Sequence, residues 1–144
     1  MVNATVDGQP SEFDWLLTNF AQHVPHVRSV LVASADGLKK YVHGLDADGA
    51  DKLAAIASGL CSLARSSGVT FGSGSGVRQV IAELDDTLLF VTAAGSGALL
   101  VVIASSQADA GVIGYEMGQL VKRVPSYLST PARFEPAPPA NTVR

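Results

Sequence analysis

The chain has 144 residues and a formal net charge of −3, with 47% hydrophobic residues and only 16% charged. That length suits one domain built on one core and is too short for two. Ten basic residues, scattered singly or in pairs on a net-acidic chain, exclude the electrostatic footprint of a nucleic-acid binder, and no apolar run reaches the ~18 residues that a membrane span needs.

The charge content is low beside the roughly 25% of an average soluble protein, which predicts an uncharged surface that a partner covers. A single cysteine, Cys61, excludes an internal disulfide and cannot build a zinc site unaided. The opening MVNATVDGQPSEF has neither the basic region nor the apolar stretch of a secretory signal, so the cytoplasm is the expected location.

Residues 1–10 show no periodicity and are expected to be disordered. Ser11, three residues before Asp14, reads as the N-cap of a first helix ending near His23. Phe13, Leu16, Leu17, Phe20 and Val24 fall on one face, and Pro25 stops the helix because the residue before a proline avoids helical backbone. Trp15 lies off that stripe and is expected at the surface. Val27–Ala35 reads as a strand, Asp36-Gly37 as a two-residue turn, and Leu38–His43 as the returning strand. Lys39 and Lys40 suit a sheet edge, where lysine discourages pairing with other chains.

Asp48 is the expected N-cap of a second helix, with Asp51 in its first turn and its end near Gly68. Leu53, Ile56, Leu60 and Leu63, flanked by Ala57 and Ala64, make a stripe that predicts the sheet-facing side. At about 100° per residue, Ala54, Ala55, Ser58, Gly59, Cys61 and Ser62 then form an outer face that is small and uncharged. Small residues let another backbone come close, so this face is expected to meet a second helix, within the chain or in a symmetric partner.

Gly72 to Gly76 reads as a flexible loop. From Val77 to Ser105 three apolar runs, separated by Asp85-Asp86 and Gly95-Ser96-Gly97, predict a three-stranded meander. Its last run, Ala98–Ala104, has no polar position and must be covered on both faces or lie at the centre of a sheet. Ser106 with Asp109 repeats the capping pattern and predicts a third helix to about Leu128, with Val112, Ile113, Met117, Leu120, Val121, Val124 and Leu128 as its core stripe. Gly111, Gly114 and Gly118 predict that this helix's backbone lies close to the sheet. Residues 131–144, PARFEPAPPANTVR, read as a disordered proline-rich tail, leaving 11–130 as the folded domain. The fold class is α+β: helix, two strands, helix, three strands, helix, with a five-stranded, mainly antiparallel sheet between helical layers.

Motifs with catalytic or ligating potential fail on context. The loop Gly72-Ser-Gly-Ser-Gly76 follows a helix and enters a strand, the reverse of a phosphate loop, and lacks the Gly-Lys-Ser/Thr that such a loop needs. Pro25 between His23 and His26 prevents the helical spacing that would aim both imidazoles at one metal. Asp46-x-Asp48-Gly-x-Asp51 lacks the length and closing Glu of a calcium loop. Cys61 has no helix N-terminus or obvious cation to activate it and reads as a packed residue. No catalytic centre, metal site or cofactor is expected.

Phe13-Asp-Trp-Leu-Leu17, Val24-Pro25, Ser34-Ala-Asp-Gly-Leu38, Leu53-Ala-Ala-Ile-Ala-Ser-Gly-Leu60 and Gly114-Tyr-Glu-Met117 together resemble the actinobacterial branch of the Roadblock/dynein light-chain family, over about residues 11–130. The resemblance implies a small non-catalytic homodimer that binds a Ras-like small GTPase and regulates or scaffolds it. It also implies a place in a conservon operon beside a sensor-kinase-like protein. This chain departs from the branch at His26, where Gly is usual, and at Lys39-Lys40.

These readings place a dimer interface on Ala54, Ala55, Ser58, Gly59 and Ser62 of the second helix and on Val80, Ile81 and Leu84 of the strand Val77–Leu84, whose edge carries little charge. Arg65 is the expected GTPase contact. The alternative is a small-ligand sensor of the PAS or GAF kind, which would need a cavity with convergent polar groups, whereas the inward positions of this chain read as apolar.

Overall fold

The computed structural model describes residues 11–95 and 97–123. Helix α1 (Ser11–His23) already includes Ser11, one residue earlier than an N-cap there would give. Its Phe13, Leu16, Leu17 and Phe20 are buried, as is Val24 beyond its end. The Val24 N–H still reaches the Phe20 carbonyl at 3.0 Å, but Pro25 has no N–H to continue the ladder. His26 then takes φ +71° and turns the chain into β1 (Val27–Ser34).

Strand β2 (Lys39–His43) returns antiparallel to β1, but not through the expected two-residue turn. The Ser34 N–H bonds the Leu38 carbonyl at 2.8 Å, so Ala35, Asp36 and Gly37 form the loop, with Gly37 at φ +95°. A register shift at Val32/Ala33 absorbs the extra residue. The Ser34 hydroxyl decides this: it bonds the Asp36 carboxylate and accepts the Leu38 N–H at 3.1 Å, drawing one more residue into the turn.

The second helix, α2 (Ala47–Phe71), is longer than expected at both ends. Asp46, not Asp48, is the N-cap, its carboxylate accepting the Gly49 N–H at 2.7 Å. Asp48 is spent instead on Lys52 one turn on, at 3.2 Å. Strands β3 (Gln79–Glu83), β4 (Thr87–Ala93) and β5 (Ala98–Ser105) form the meander, and α3 (Ala110–Arg123) closes the described chain. Asp109 caps α3 by itself, accepting the Gly111 and Val112 N–H groups at 2.9 and 3.2 Å. Val124, Leu128 and the expected end of this helix lie outside the described residues.

The five strands pair in the order β2-β1-β5-β4-β3, every pair antiparallel. The all-apolar β5 is the middle strand and is covered on both faces, so both placements its sequence allowed are met together. Helices α1 and α3 cover one face over Val30, Val32, Phe90, Leu100 and Val102, and α2 covers the other over Leu31, Val91, Leu99 and Val101. Two apolar layers therefore share one sheet, whose consecutive residues alternate between them. The α3 glycines do not mark a close approach: the nearest group to a Cβ on Gly114 would be the Gln79 side chain at 3.7 Å, and Gly118 faces open space. Ile113, Met117 and Leu120 make the contact instead.

Candidate interaction surface

Helix α2 is rotated relative to the expectation. Ala50, Leu53, Ala54, Ala57 and Cys61 are buried against the sheet, whereas Ile56 and Leu63 are 52% and 70% exposed. The reason lies across the interface. The strands fill this layer with branched side chains, and the mostly small face of α2, with Leu53 as its one large aliphatic, lies close on them. Ala54, placed on the outer face by the periodicity, is fully buried and cannot line a surface. Cys61 is likewise inside, and burial raises its thiol pKa, with the Arg65 charge pulling weakly the other way.

The solvent side of α2 carries Ala55, Ile56, Gly59, Ser62 and Leu63, all exposed. Ser58 is half-buried because its hydroxyl donates to the Ala35 carbonyl at 2.7 Å, tying α2 to the β1–β2 turn. Ile56 and Leu63 are seven residues apart and form an aliphatic ridge with half-buried Leu60 between them. Sequence reasoning missed this ridge because both stripes of α2 are periodic. The usable signal was the near-absence of charge on either.

The ridge looks towards β3. Leu60 packs on the same layer as Val80 and Ala82, which are half-buried beneath α2. Ile81 points to the opposite sheet face and is 49% exposed, and Leu84, at the turn after β3, is 55% exposed. Strand β3 is an outer strand, so among the described residues its outward backbone groups have no partner strand. The other edge, β2, is protected by exposed Lys40 and by Lys39, which pairs with Asp51 of α2 at 2.5 Å. Arg65 is exposed, but at about 100° per residue it stands on the flank of α2 away from the Ile56–Leu63 ridge, near Ser62 and Val69.

Among the described residues no group of three or more His, Cys, Asp or Glu is placed to hold a metal ion. The His23 ring bonds the Asn19 carbonyl at 2.9 Å, while His26 sits in left-handed backbone beyond Pro25. Asp46, Asp48 and Asp51 are engaged by Gly49, Lys52 and Lys39 respectively. Among the described residues the buried polar side chain is Ser29, whose hydroxyl donates to the Gly44 carbonyl at 3.0 Å, and the inward positions of both layers are apolar. No described helix is long and apolar enough to cross a membrane.

The family model described as Roadblock/LC7 domain matches residues 13–104. No curated protein matches. Among solved structures, a Roadblock/LC7 domain from Streptomyces avermitilis is 59% identical, with 81% of this chain and 98% of that one covered at a TM-score of 0.78. A second Roadblock/LC7 domain from the same organism is 40% identical over 78% and 97% of the two chains, at a TM-score of 0.64. Myxococcus xanthus MglB shares the fold at 14% identity, with 83% and 96% covered and a TM-score of 0.73. By sequence match and by strand and helix order alike, this chain belongs to the Roadblock/LC7 domain family.

Proposed function

We propose that the protein is a non-catalytic homodimer that binds a Ras-like small GTPase and regulates or scaffolds it in a cytoplasmic signalling system. Family membership supports an interaction role, and the observation that carries the reading is the exposed Ile56–Leu63 ridge of α2 beside the open edge of β3. Two-fold pairing of β3 edges joins two five-stranded sheets into one and brings the two ridges together, with Ala55, Gly59 and Ser62 at their margin. Such an interface fits the roughly 1,600 Å² of a standard specific contact. In this reading Val80 and Leu84 line the α2 side of the seam, and Ile81 the other side.

Pairing along the ridge leaves the other flank of α2 free, and Arg65 with Val69 is the proposed GTPase contact. Arg65 is a binding residue here and not a group that enters the GTPase active site. A sensor-kinase-like protein of the same conservon operon is the proposed neighbour in the pathway. A pulldown from the source cell, with bait charged in GDP- or GTP-containing buffer, tests the reading: recovery of a small GTPase is expected, with loss on Arg65→Glu. Recovery of no GTPase in either nucleotide state refutes it.

A further inference from the structure

Helices α1 and α3 run in opposite directions on the same sheet face, because α1 ends and α3 begins at one end of the sheet, where the Ser105 N–H bonds the His26 carbonyl at 3.0 Å. Between them lies a groove lined by Leu16, Phe20 and Val24 of α1 and by Glu116, Leu120 and Arg123 of α3. Trp15 stands one helical turn from Asn19, and Tyr115 one turn from Gln119; both of these polar residues also line the groove. The antiparallel arrangement therefore puts Trp15 at the Arg123 end and Tyr115 at the His23 end. Both aromatics are open to solvent, at 58% and 65%.

We propose that this aromatic-bracketed groove is a docking site for the protein's own tail, taken up as a polyproline II segment at Pro136-Ala-Pro138-Pro139. The tail has the P-x-x-P spacing of segments that dock on aromatic-lined grooves, and its prolines are pre-set in the bound conformation, so little entropy is lost on docking. The lengths agree. Along α1, Leu16 to His23 rises about 10 Å at 1.5 Å per residue. Four residues of polyproline II cover about 12 Å at 3.1 Å per residue. Arg123, the last described residue of α3, lines the groove at the Trp15 end, and twelve residues separate it from Pro136. With the helix continued to Leu128 as its sequence predicts, residues 129–135 fully extended still reach about 24 Å, ample to return along the groove.

Trp15 is the chain's single tryptophan, so its fluorescence reports on this site alone. In the full-length protein its emission is expected to be blue-shifted relative to free indole. Replacing Pro136, Pro138 and Pro139 together by Gly is expected to move it to the red, and a peptide of residues 131–144 added in excess should restore it. Tyr115→Ala, at the far end of the groove, should produce the same red shift without touching tryptophan or tail. An emission maximum unchanged by both the triple variant and Tyr115→Ala overturns the proposal. So does a shift that disappears on dilution, which would mean tail exchange between copies, or one seen only with added peptide, which would mean a groove kept for another protein's proline-rich segment.

Discussion

His26 holds φ +71°, a conformation that costs an L-residue with a Cβ about 1–2 kcal/mol relative to ordinary backbone. Nothing else can make the corner, because Pro25 has a fixed φ and Val27 must already be extended to pair with Ala104. His26→Gly is therefore expected to raise stability by about 1 kcal/mol in urea unfolding, less the added freedom of Gly in the unfolded chain. Gly44 is the opposite case. It has φ +86°, and a Cβ there would sit 2.5 Å from the Arg28 carbonyl oxygen, beside the Ser29 hydroxyl bonded to Gly44 itself. Gly44→Ala should cost about 2 kcal/mol or more by the same measurement. Cys61 gives a third check: buried, with its thiol pKa raised by burial, it should resist a disulfide reagent in native protein near neutral pH and react at once in denaturant. Because the folded thiol pKa is raised above its unfolded value, Cys61 contributes stability that is present at low pH and is lost as pH rises past the unfolded thiol's range.

Among the elements, α2 carries two demands that pull its residues to opposite sides. Its sheet-facing side is made of small residues so that the helix lies close on β1, β4 and β5, and Ala57→Leu is expected to overpack that contact by about 1–3 kcal/mol. Its outer side keeps Ile56 and Leu63, half or more exposed, which contribute little to the isolated fold. Leu63→Glu should leave the unfolding free energy of the monomer within about 0.5 kcal/mol yet shift the proposed dimer towards monomer in sedimentation equilibrium. A Val80→Pro edge block should act in the same direction through β3, since proline removes a backbone donor from the outer strand. A protein that is monomeric at micromolar concentration, or a dimer indifferent to both changes, would remove the ridge and the edge from the interface.

For the whole molecule, residues 131–144 are proposed to add little to global stability. Removal after Thr130 should leave the melting temperature nearly unchanged while altering Trp15 emission, which separates docking of the tail from folding of the domain. Local chemistry alone determined a good deal of this protein. The 3.6-residue pattern of Phe13 to Val24, the short apolar runs and turn residues of the strands, and the unbroken apolar run of β5 define element type, the enclosed strand and the Lys-protected edge, because each depends on residues close together in the chain. Cap positions and the hairpin loop were off by one or two residues wherever neighbouring side chains compete, as Asp46 does with Asp48 for the start of α2 and Ser34 with the Asp36-Gly37 turn. The rotation of α2 was decided only in the tertiary structure. Two stripes of that helix are equally regular, and which one enters the core depends on packing against strands far away in sequence; Ala54 and Cys61 pack in one layer with Leu31, Val91 and Val101, while Ile56 and Leu63 stay at the surface.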